Sequence, residues 1–403
     1  MNDSVETVLV INAGSSSLKF QLVSPATAEV AATGIIERVG KEHSTASIRS
    51  ADQELSIERD VPDHTAGMQV VSDLFAAVGI HLGSAGIRAV GHRVVQGGAR
   101  FSRPTLIDSW VRQQIHDLGT LAPLHNYANV DGIDGARALL PDVPHVAVFD
   151  TAFFTALPDA AATYALNRDV AREYRIRRYG AHGTSHQYVS EQVAELMSER
   201  GTDPSTLRQI VLHLGNGASA SAIHAGAPVE TSMGLTPLEG LVMGTRTGDI
   251  DPAVAVHLHR QAGMSPEDVD TLLNKRSGMQ GLCGMNDFRD ISAAIAAGDE
   301  RAELAMQVYT HRLRKYIGSY AFTLGGVDAI TFTAGIGENS AEVRARTLAG
   351  LEGFGIRLAP EANQERSGRA RVISAADSAV TVLVVPTNEE LAITRSALEF
   401  ATS

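Results

Sequence analysis

The sequence predicts an α/β protein of two related lobes, on three observations. In the first, an apolar run from Val8 ends at Asn12, the turn Gly14-Ser15-Ser16-Ser17 follows, and alternation resumes through Leu18, Lys19, Phe20, Gln21 and Leu22. This is strand, tight turn and strand. In the second, the pattern returns: Ile210-Val211-Leu212-His213-Leu214 runs into Gly215-Asn216-Gly217-Ala218-Ser219 and alternates on to Ile223. In the third, a strand at 329–333 leads into Ala334-Gly335-Ile336-Gly337-Glu338-Asn339-Ser340 and a helical pattern. Small residues let backbone N–H groups approach an anion closely, and hydroxyls and a lysine add donors and charge. An ordinary serine-rich hairpin is the plain alternative for the first segment taken alone. A dinucleotide fingerprint needs a third glycine where Ser340 stands, and the Walker pattern is absent. Two hairpins with a late Gly-x-Gly at a helix N-terminus therefore suit a two-lobed nucleotide clamp, phosphates in its cleft.

Taken in order, strands are expected at 6–12, 18–24, 29–36 and 44–50, and Asp52 opens a turn into another at 53–58. Met68, Val71, Leu74 and Phe75 recur at helical spacing within 66–78. Residues 87–92 read as a strand into Gly91-His92-Arg93, 127–139 as a helix, and 145–149 as a buried strand ending at Asp150. A helix begins near Ser185, and a strand at 379–385 precedes Pro386-Thr387-Asn388. The 403 residues exceed one typical core. Two domains are expected: 1–150 with a C-terminal helix near 390–403 packing back onto it, and 151–389.

The formal net charge of −12 argues against broad nucleic-acid or membrane-surface binding, which need basic patches. An anionic substrate then requires local arginines and lysines. Cys283 is the single cysteine, which excludes an internal disulfide and fits a reducing cytoplasm. Asp3 and Glu6 stand where a signal peptide would be basic, and no apolar run approaches the roughly 18 residues of a membrane span.

Further segments make the pattern specific. They are Gly91-His92-Arg93-Val94-Val95-Gln96-Gly97-Gly98, Leu121-Ala122-Pro123-Leu124-His125-Asn126, Phe149-Asp150-Thr151-Ala152-Phe153 and Arg178-Tyr179-Gly180-Ala181-His182-Gly183-Thr184-Ser185-His186. Gly244-Thr245-Arg246-Thr247-Gly248-Asp249, Asn286-Asp287-Phe288-Arg289 and Thr387-Asn388-Glu389-Glu390 follow. With the three glycine segments, these resemble, in order and over nearly the whole chain, the acetate and butyrate kinase family of the actin, hexokinase and heat-shock chaperone superfamily. Two positions depart from the pattern: Ala181 stands where some members have Phe, and Phe154 where His is common.

The resemblance implies two actin-like (ribonuclease H-like) lobes with a nucleotide cleft between them. It implies ATP plus acetate giving ADP plus acetyl phosphate, reversibly and by direct in-line transfer, in a cytoplasmic homodimer. A kinase preferring propionate or butyrate and a non-catalytic ATP-driven clamp are the alternatives. A carboxylate is already a nucleophile, so the task is alignment and charge compensation.

By resemblance, Arg93 is a substrate ligand, and Val95, Leu124 and Pro237 are pocket walls. Asp150 is catalytic, and His182 and Arg246 meet the transferring phosphoryl group. Ser15, Ser17, Lys19, Asn216 and Gly217 meet phosphates, joined by His213, Leu214 and Gly215 of the second hairpin. Asp287, Phe288, Arg289, Gly335, Ile336, Gly337, Glu338 and Asn339 hold adenosine. Asn12 and Glu389 face magnesium, for which manganese can substitute. Plain alternatives stand beside several of these. Arg93 reads as a surface arginine, Asp150 as a helix N-cap, and Glu389 as a first-turn helix glutamate. Arg246 reads as a partner of Asp249 or Asp251, although a mobile polar loop suits a group that engages on closure. His125 and His213 read as interior histidines and Phe288 as core. His182 and His186, four apart, have zinc spacing on a helix but no third ligand in view.

Overall fold

β1 (Thr7–Ala13) takes the opening apolar run, and burial on both faces explains why that run does not alternate. β2 (Ser17–Val23) does alternate, with Leu18, Phe20 and Leu22 buried and Lys19 exposed. β3 (Val30–Glu37), β4 (Thr45–Ser50) and β5 (Glu54–Glu58) extend the sheet antiparallel. β6 (Ile87–Val94) runs parallel to β1, β7 (Thr105–Leu106) forms the far edge, and β8 (His145–Phe149) runs parallel to β6. Parallel neighbours need crossovers. The helices His64–Ala77 and Asn126–Leu139 supply them.

Period-two strands give this sheet apolar packing on both faces. Leu9, Ile11, Leu18 and Phe20 meet Met68, Val71, Leu74 and Phe75 of helix His64–Ala77. On the opposite face Val8, Val10, Ala89, Val146 and Val148 meet Ile393 and Ala397 of helix Glu389–Leu398. Gly91 lets that helix close on β6, because a Cβ there would lie 2.5 Å from Ile393 Cγ2.

This computed structural model describes residues 6–51, 53–123 and 125–401, so the turn expected at Asp52 lies outside the described residues. One compact unit runs to Thr155 and resumes at Asn388; the other is Ala156–Thr387. The first unit thus keeps Thr151–Thr155 and Glu389, which the sequence reading assigns to the second lobe. Thr151 Oγ1 accepts from the Gly97 N–H at 3.0 Å, and Glu389 lies 3.6 Å from the Arg93 guanidinium.

The second unit contains β9 (Arg208–Leu214), β10 (Ala218–His224), β11 (Ala227–Thr231), β12 (Ala329–Thr333), β13 (Arg371–Val372) and β14 (Thr381–Val384). Its strand order, β11-β10-β9-β12-β14, repeats β3-β2-β1-β6-β8 of the first unit with the same parallel and antiparallel senses. The two hairpins differ in length. The last pair is Ala13 with Leu18 in one and Leu214 with Ala218 in the other. Counted from those pairs, Asn12 and Lys19 correspond to His213 and Ser219.

One face of this second sheet packs Ile210, Leu212, Ile330 and Phe332 against Met306, Tyr309, Leu313 and Ile317 of helix Glu300–Thr323. The other carries Gln209, His213, Ser219 and Ser221 beneath helix Gly183–Glu199. Among the described residues no helix is long and apolar enough to cross a membrane.

Candidate active site

Arg93, near the end of β6, and Asp150, just past β8, meet because the two strands run in register with Val94 opposite Phe149. Arg93 Nε donates to Asp150 Oδ1 at 3.0 Å and Nη2 to Oδ2 at 2.8 Å, a bidentate fork. Asp150 is therefore no helix cap, and Arg93 is no free surface arginine. Burial works against the Arg93 charge, but Asp150 and Glu389 outweigh it and raise its pKa. Burial pushes the Asp150 carboxyl up, with Glu389 adding and Arg93 opposing. The next residues are held through their backbones. Val95, half-buried, donates its N–H to Asn129 Oδ1 at 3.2 Å, and Gln96 donates to Asn126 Oδ1 at 3.0 Å. Leu124 lies outside the described residues, and His125 just precedes helix Asn126–Leu139.

In the first hairpin Gly14 N–H donates to Ser17 O at 2.7 Å. Ser15 and Lys19 are exposed, Ser17 is half-buried, and Asn12, half-buried, pairs across the ladder with Lys19.

Within the second unit a histidine group gathers at the other hairpin. His182 precedes helix Gly183–Glu199 at φ 58°, a left-handed conformation that costs a non-glycine residue about 1–2 kcal/mol. Strain of this kind persists where surrounding structure imposes it, often at functional sites. The His182 ring stacks on His213 at 4.3 Å, and its Nδ1 meets Ser219 Oγ at 2.9 Å. His186 meets Ser219 Oγ at 2.7 Å and Ser221 Oγ at 2.7 Å. Burial, with His213 adding, pushes the His186 pKa well below the usual imidazole range. His213, nearly buried, meets Ser185 Oγ at 2.8 Å, and Ser185 meets Thr387 Oγ1 at 2.7 Å. Hydroxyls thus take the place of a third metal ligand. No cluster of three or more His, Cys, Asp or Glu suited to a metal occurs among the described residues.

Leu214 ends β9, and Gly215 N–H closes the turn on Gly217 O at 3.0 Å. Gly244 packs against Asn216 so closely that a Cβ would overlap Asn216 Oδ1. A Cβ on Gly217 would sit 3.4 Å from the His182 ring and 3.7 Å from Arg246 Nη1, so turn, imidazole and guanidinium converge.

Arg246 donates to Pro237 O at 3.1 Å and, among the described residues, pairs with no carboxylate. Burial lowers its pKa. Neither suggested partner reaches it. Asp251 caps Ala253 N–H, while Asp249 accepts from Tyr316 Oη at 2.9 Å and from Gly240 N–H at 2.9 Å, with Arg312 at 3.5 Å. The loop is not the free segment the sequence suggests. Gly244 N–H bonds Asn216 O, Thr247 N–H bonds Leu273 O, and Ser277 N–H bonds Thr245 O.

A cavity of about 820 Å³ opens beside the third glycine segment, within the range of small-molecule sites. Asn216, Asp287, Phe288, Arg289, Gly335, Ile336, Glu338 and Asn339 line it; Gly337 is buried outside the lining. Ala334, at φ 63°, forces the sharp turn out of β12. Asp287 caps helix Phe288–Ala296 and pairs with Arg289 at 2.5 Å, which pushes its carboxyl down to about 2. Phe288 is both core and wall, edge-on to Tyr309. Burial raises the Glu338 pKa, and its carboxylate accepts the Thr387 N–H at 3.2 Å.

Sequence reasoning missed Arg344. It is 1% exposed, yet lines the cavity and donates to Gly337 O at 2.8 Å, Glu338 O at 3.0 Å and Asn363 Oδ1 at 2.7 Å. Burial pushes its pKa down to about 10. Ser340, in place of a third glycine, caps the next helix through Val343 N–H. Phe154 and Ala181, the two departures, are buried packing positions.

Comparison with known proteins follows the same lines. A profile of the Acetokinase family matches residues 7–395. An acetate kinase of Corynebacterium jeikeium is 52% identical over 399 residues, covering 98% of this chain and 98% of that one. The crystal structure of Porphyromonas gingivalis acetate kinase matches with TM-score 0.91 and 40% identity, over 98% of this chain and 99% of that one. A propionate kinase from Francisella tularensis subsp. tularensis matches with TM-score 0.91 and 38% identity, over 98% and 99%.

The repeated strand order, the two small-residue hairpins and the cavity at a Gly-x-Gly turn define a kinase of the actin-like α/β class. Within that class the chain belongs to the acetokinase family.

Proposed function

We propose that this chain transfers the γ-phosphoryl group of ATP to acetate. An acetate oxygen attacks the γ-phosphorus, the bond from that phosphorus to the bridging oxygen breaks, and acetyl phosphate and ADP result. No proton need move, since acetate is ionised near neutral pH. What the protein must supply is positive charge and alignment.

The observation that carries this reading is Arg246, a half-buried guanidinium on a fastened loop beside His182 and Gly217, with no carboxylate to neutralise it among the described residues. We read Arg246 and His182 as clamping the phosphoryl group, and Asn216 and Gly217 as presenting the turn to phosphate oxygens. The cavity takes adenosine. Arg93 binds the acetate carboxylate and is held in place by Asp150, with Val95 as a wall for the methyl group. Ser15, Ser17 and Lys19 serve phosphate in the first unit.

Magnesium suits the oxygen donors Asn12 and Glu389. Asp150 and Glu389 face a single guanidinium, Arg93, so negative charge is in local excess for a hard cation that keeps most of its waters. When bound, the ion would offset phosphate charge.

We read the assembly as a cytoplasmic homodimer. Helix Ala253–Ala262 supports the pairing, since it buries none of its residues although it carries Val254, Val256 and Leu258. The single cysteine fits the compartment.

An acyl-hydroxamate assay with ATP, magnesium and acids from formate to butyrate tests the reaction. The highest kcat/KM is expected with acetate. A methylene is worth roughly 1–3 kcal/mol in such a pocket, so propionate should be turned over more slowly. A preference for propionate or butyrate moves the chain to the sister activity, and ATP binding without acid-dependent turnover removes the kinase reading.

A further inference from the structure

We infer that His64 and Asn129 are positioning residues of the first hairpin turn: His64 aims the Ser15 N–H outward, toward an anion, and Asn129 anchors the peptide whose N–H closes the turn. The inference rests on the reading of that turn as a phosphate holder. His64, the first residue of helix His64–Ala77, is 6% exposed, and its Nε2 lies 2.7 Å from Gly14 O. A carbonyl only accepts, so this nitrogen carries the proton and donates. Asn129, on helix Asn126–Leu139, is 3% exposed and donates from Nδ2 to Ala13 O at 2.7 Å. Further along the turn, Ser16 O accepts from Val39 N–H at 3.0 Å.

Three carbonyls of the turn are therefore drawn toward the protein. In a trans peptide the N–H points opposite to the C=O of the same unit, and the described chain has no cis bond. Fixing Gly14 O on His64 turns the Ser15 N–H the other way, while fixing Ala13 O on Asn129 turns the Gly14 N–H across the turn to Ser17 O, to which it donates at 2.7 Å. Among the described residues the Ser15 N–H has no acceptor. Two buried side chains thus hold the peptide planes of a turn that small residues alone would leave free to rotate. Preorganised donors of this kind avoid reorganisation when charge arrives.

Asn129 does a second thing. Its Oδ1 accepts the Val95 N–H at 3.2 Å, so one amide joins the phosphate turn to the segment that follows Arg93. His64 hydrogen-bonds to the turn and, among the described residues, makes no hydrogen bond to the segment after Arg93. The two residues should then affect the two substrates differently.

Steady-state kinetics of the full-length enzyme separate these roles. His64→Leu should raise the KM for MgATP about ten-fold and leave the KM for acetate within two-fold. His64→Gln, whose amide nitrogen sits where Nε2 does, should restore it. Asn129→Asp, which keeps the acceptor for Val95 but loses the donor to Ala13 O, should raise the KM for MgATP alone, whereas Asn129→Leu, which loses both, should raise the KM for both substrates. An unchanged MgATP KM in both His64→Leu and Asn129→Asp overturns the inference. So does a fall in kcat and melting temperature with both KM values unmoved, which marks structural damage alone. If His64→Leu does not fold, Asn129→Asp carries the test by the same criteria. Lys19→Ala is the control for the underlying reading. If it raises the MgATP KM while His64→Leu does not, only the positioning role fails; if neither moves it, the turn does not hold phosphate.

Discussion

Arg246 and Arg93 show two ways of keeping a guanidinium in a partly buried place. Arg93 shares a fork with Asp150 and has Glu389 behind it, so its charge is more than balanced. Arg246 has a carbonyl, Pro237 O, and among the described residues no anionic partner. Burying an unpaired charge is costly, and the nearest carboxylate in sequence, Asp249, is committed to Tyr316 and Arg312. That arrangement makes sense where an anionic ligand completes the pair. Arg246→Ala should therefore lower kcat on the order of 10²–10³-fold, the scale of losing one charge-stabilising donor. Its melting temperature should hold or rise, because the variant no longer buries the charge. Activity and thermal melts on the same preparation check both; wild-type kcat would strike Arg246 from the chemistry. The sequence alone left Arg246 between a surface ion pair and a phosphoryl ligand. Partner choice was decided by Tyr316 and Arg312, which lie on a helix far along the chain.

At the scale of elements, β6 and β8 are joined by more than their ladder. His145 Nε2 lies 2.9 Å from Leu140 O and so donates to it; its Nδ1 is then the acceptor for His92 Nε2 at 3.0 Å. Both tautomers are fixed, and a proton added to His145 Nδ1 would face a donor. Burial, with His145 and Arg137 adding, pushes His92 well below its ordinary value, and burial lowers His145. The folded protein thus binds fewer protons than the unfolded chain below about pH 6.5. Stability is full above that pH and falls as pH drops toward the lower folded values, by up to about 1.4 kcal/mol per pH unit per histidine. His92→Gln retains a donor to His145 and removes one titration. Its urea midpoints at pH 7, 6 and 5 should fall less steeply than those of the wild type, and parallel curves would refute the assignment. These strands were legible in advance because β1, β8 and β12 are near-continuous apolar runs bounded by small residues, and β2 alternates. The helices between 253 and 323 were passed over for two reasons. Ala253–Ala262 and Pro266–Lys275 bury almost nothing, and although Val254 and Leu258, and Val269, Leu272 and Leu273, have helical spacing, both segments are short and carry no chemical motif. Glu300–Thr323 carries a buried apolar stripe, through Ala302, Met306, Tyr309, Leu313 and Ile317, but it too lacks a chemical motif to draw attention. Arg344 was beyond reach for a different reason: its partners are carbonyls at 337 and 338 and Asn363, and no spacing rule connects them.

Over the whole molecule, one strand arrangement is used twice, and the chain ends by returning to the first copy. The likeness is one of topology, since the turns differ by a residue and Asn12 has His213 as its counterpart. Each unit has its own apolar core, and Ile393 and Ala397 complete only the one around Val8, Val10, Ala89, Val146 and Val148. The same helix begins with Glu389, so packing of Ile393 against Gly91 and pairing of Glu389 with Arg93 depend on one docking event. Ile393→Ala should cost about 2–5 kcal/mol, the usual range for truncating a buried aliphatic residue. The loss should be confined to one unit. Amide exchange should accelerate in β1, β6 and β8 while β9, β10 and β12 keep their protection, because the second core contains no atom of that helix. Acetate KM should rise with it, as Arg93 loses the Glu389 that holds its outer side. Equal loss of protection in both sheets would mean that the two cores melt as one, and that the C-terminal helix supports more than the unit it packs on.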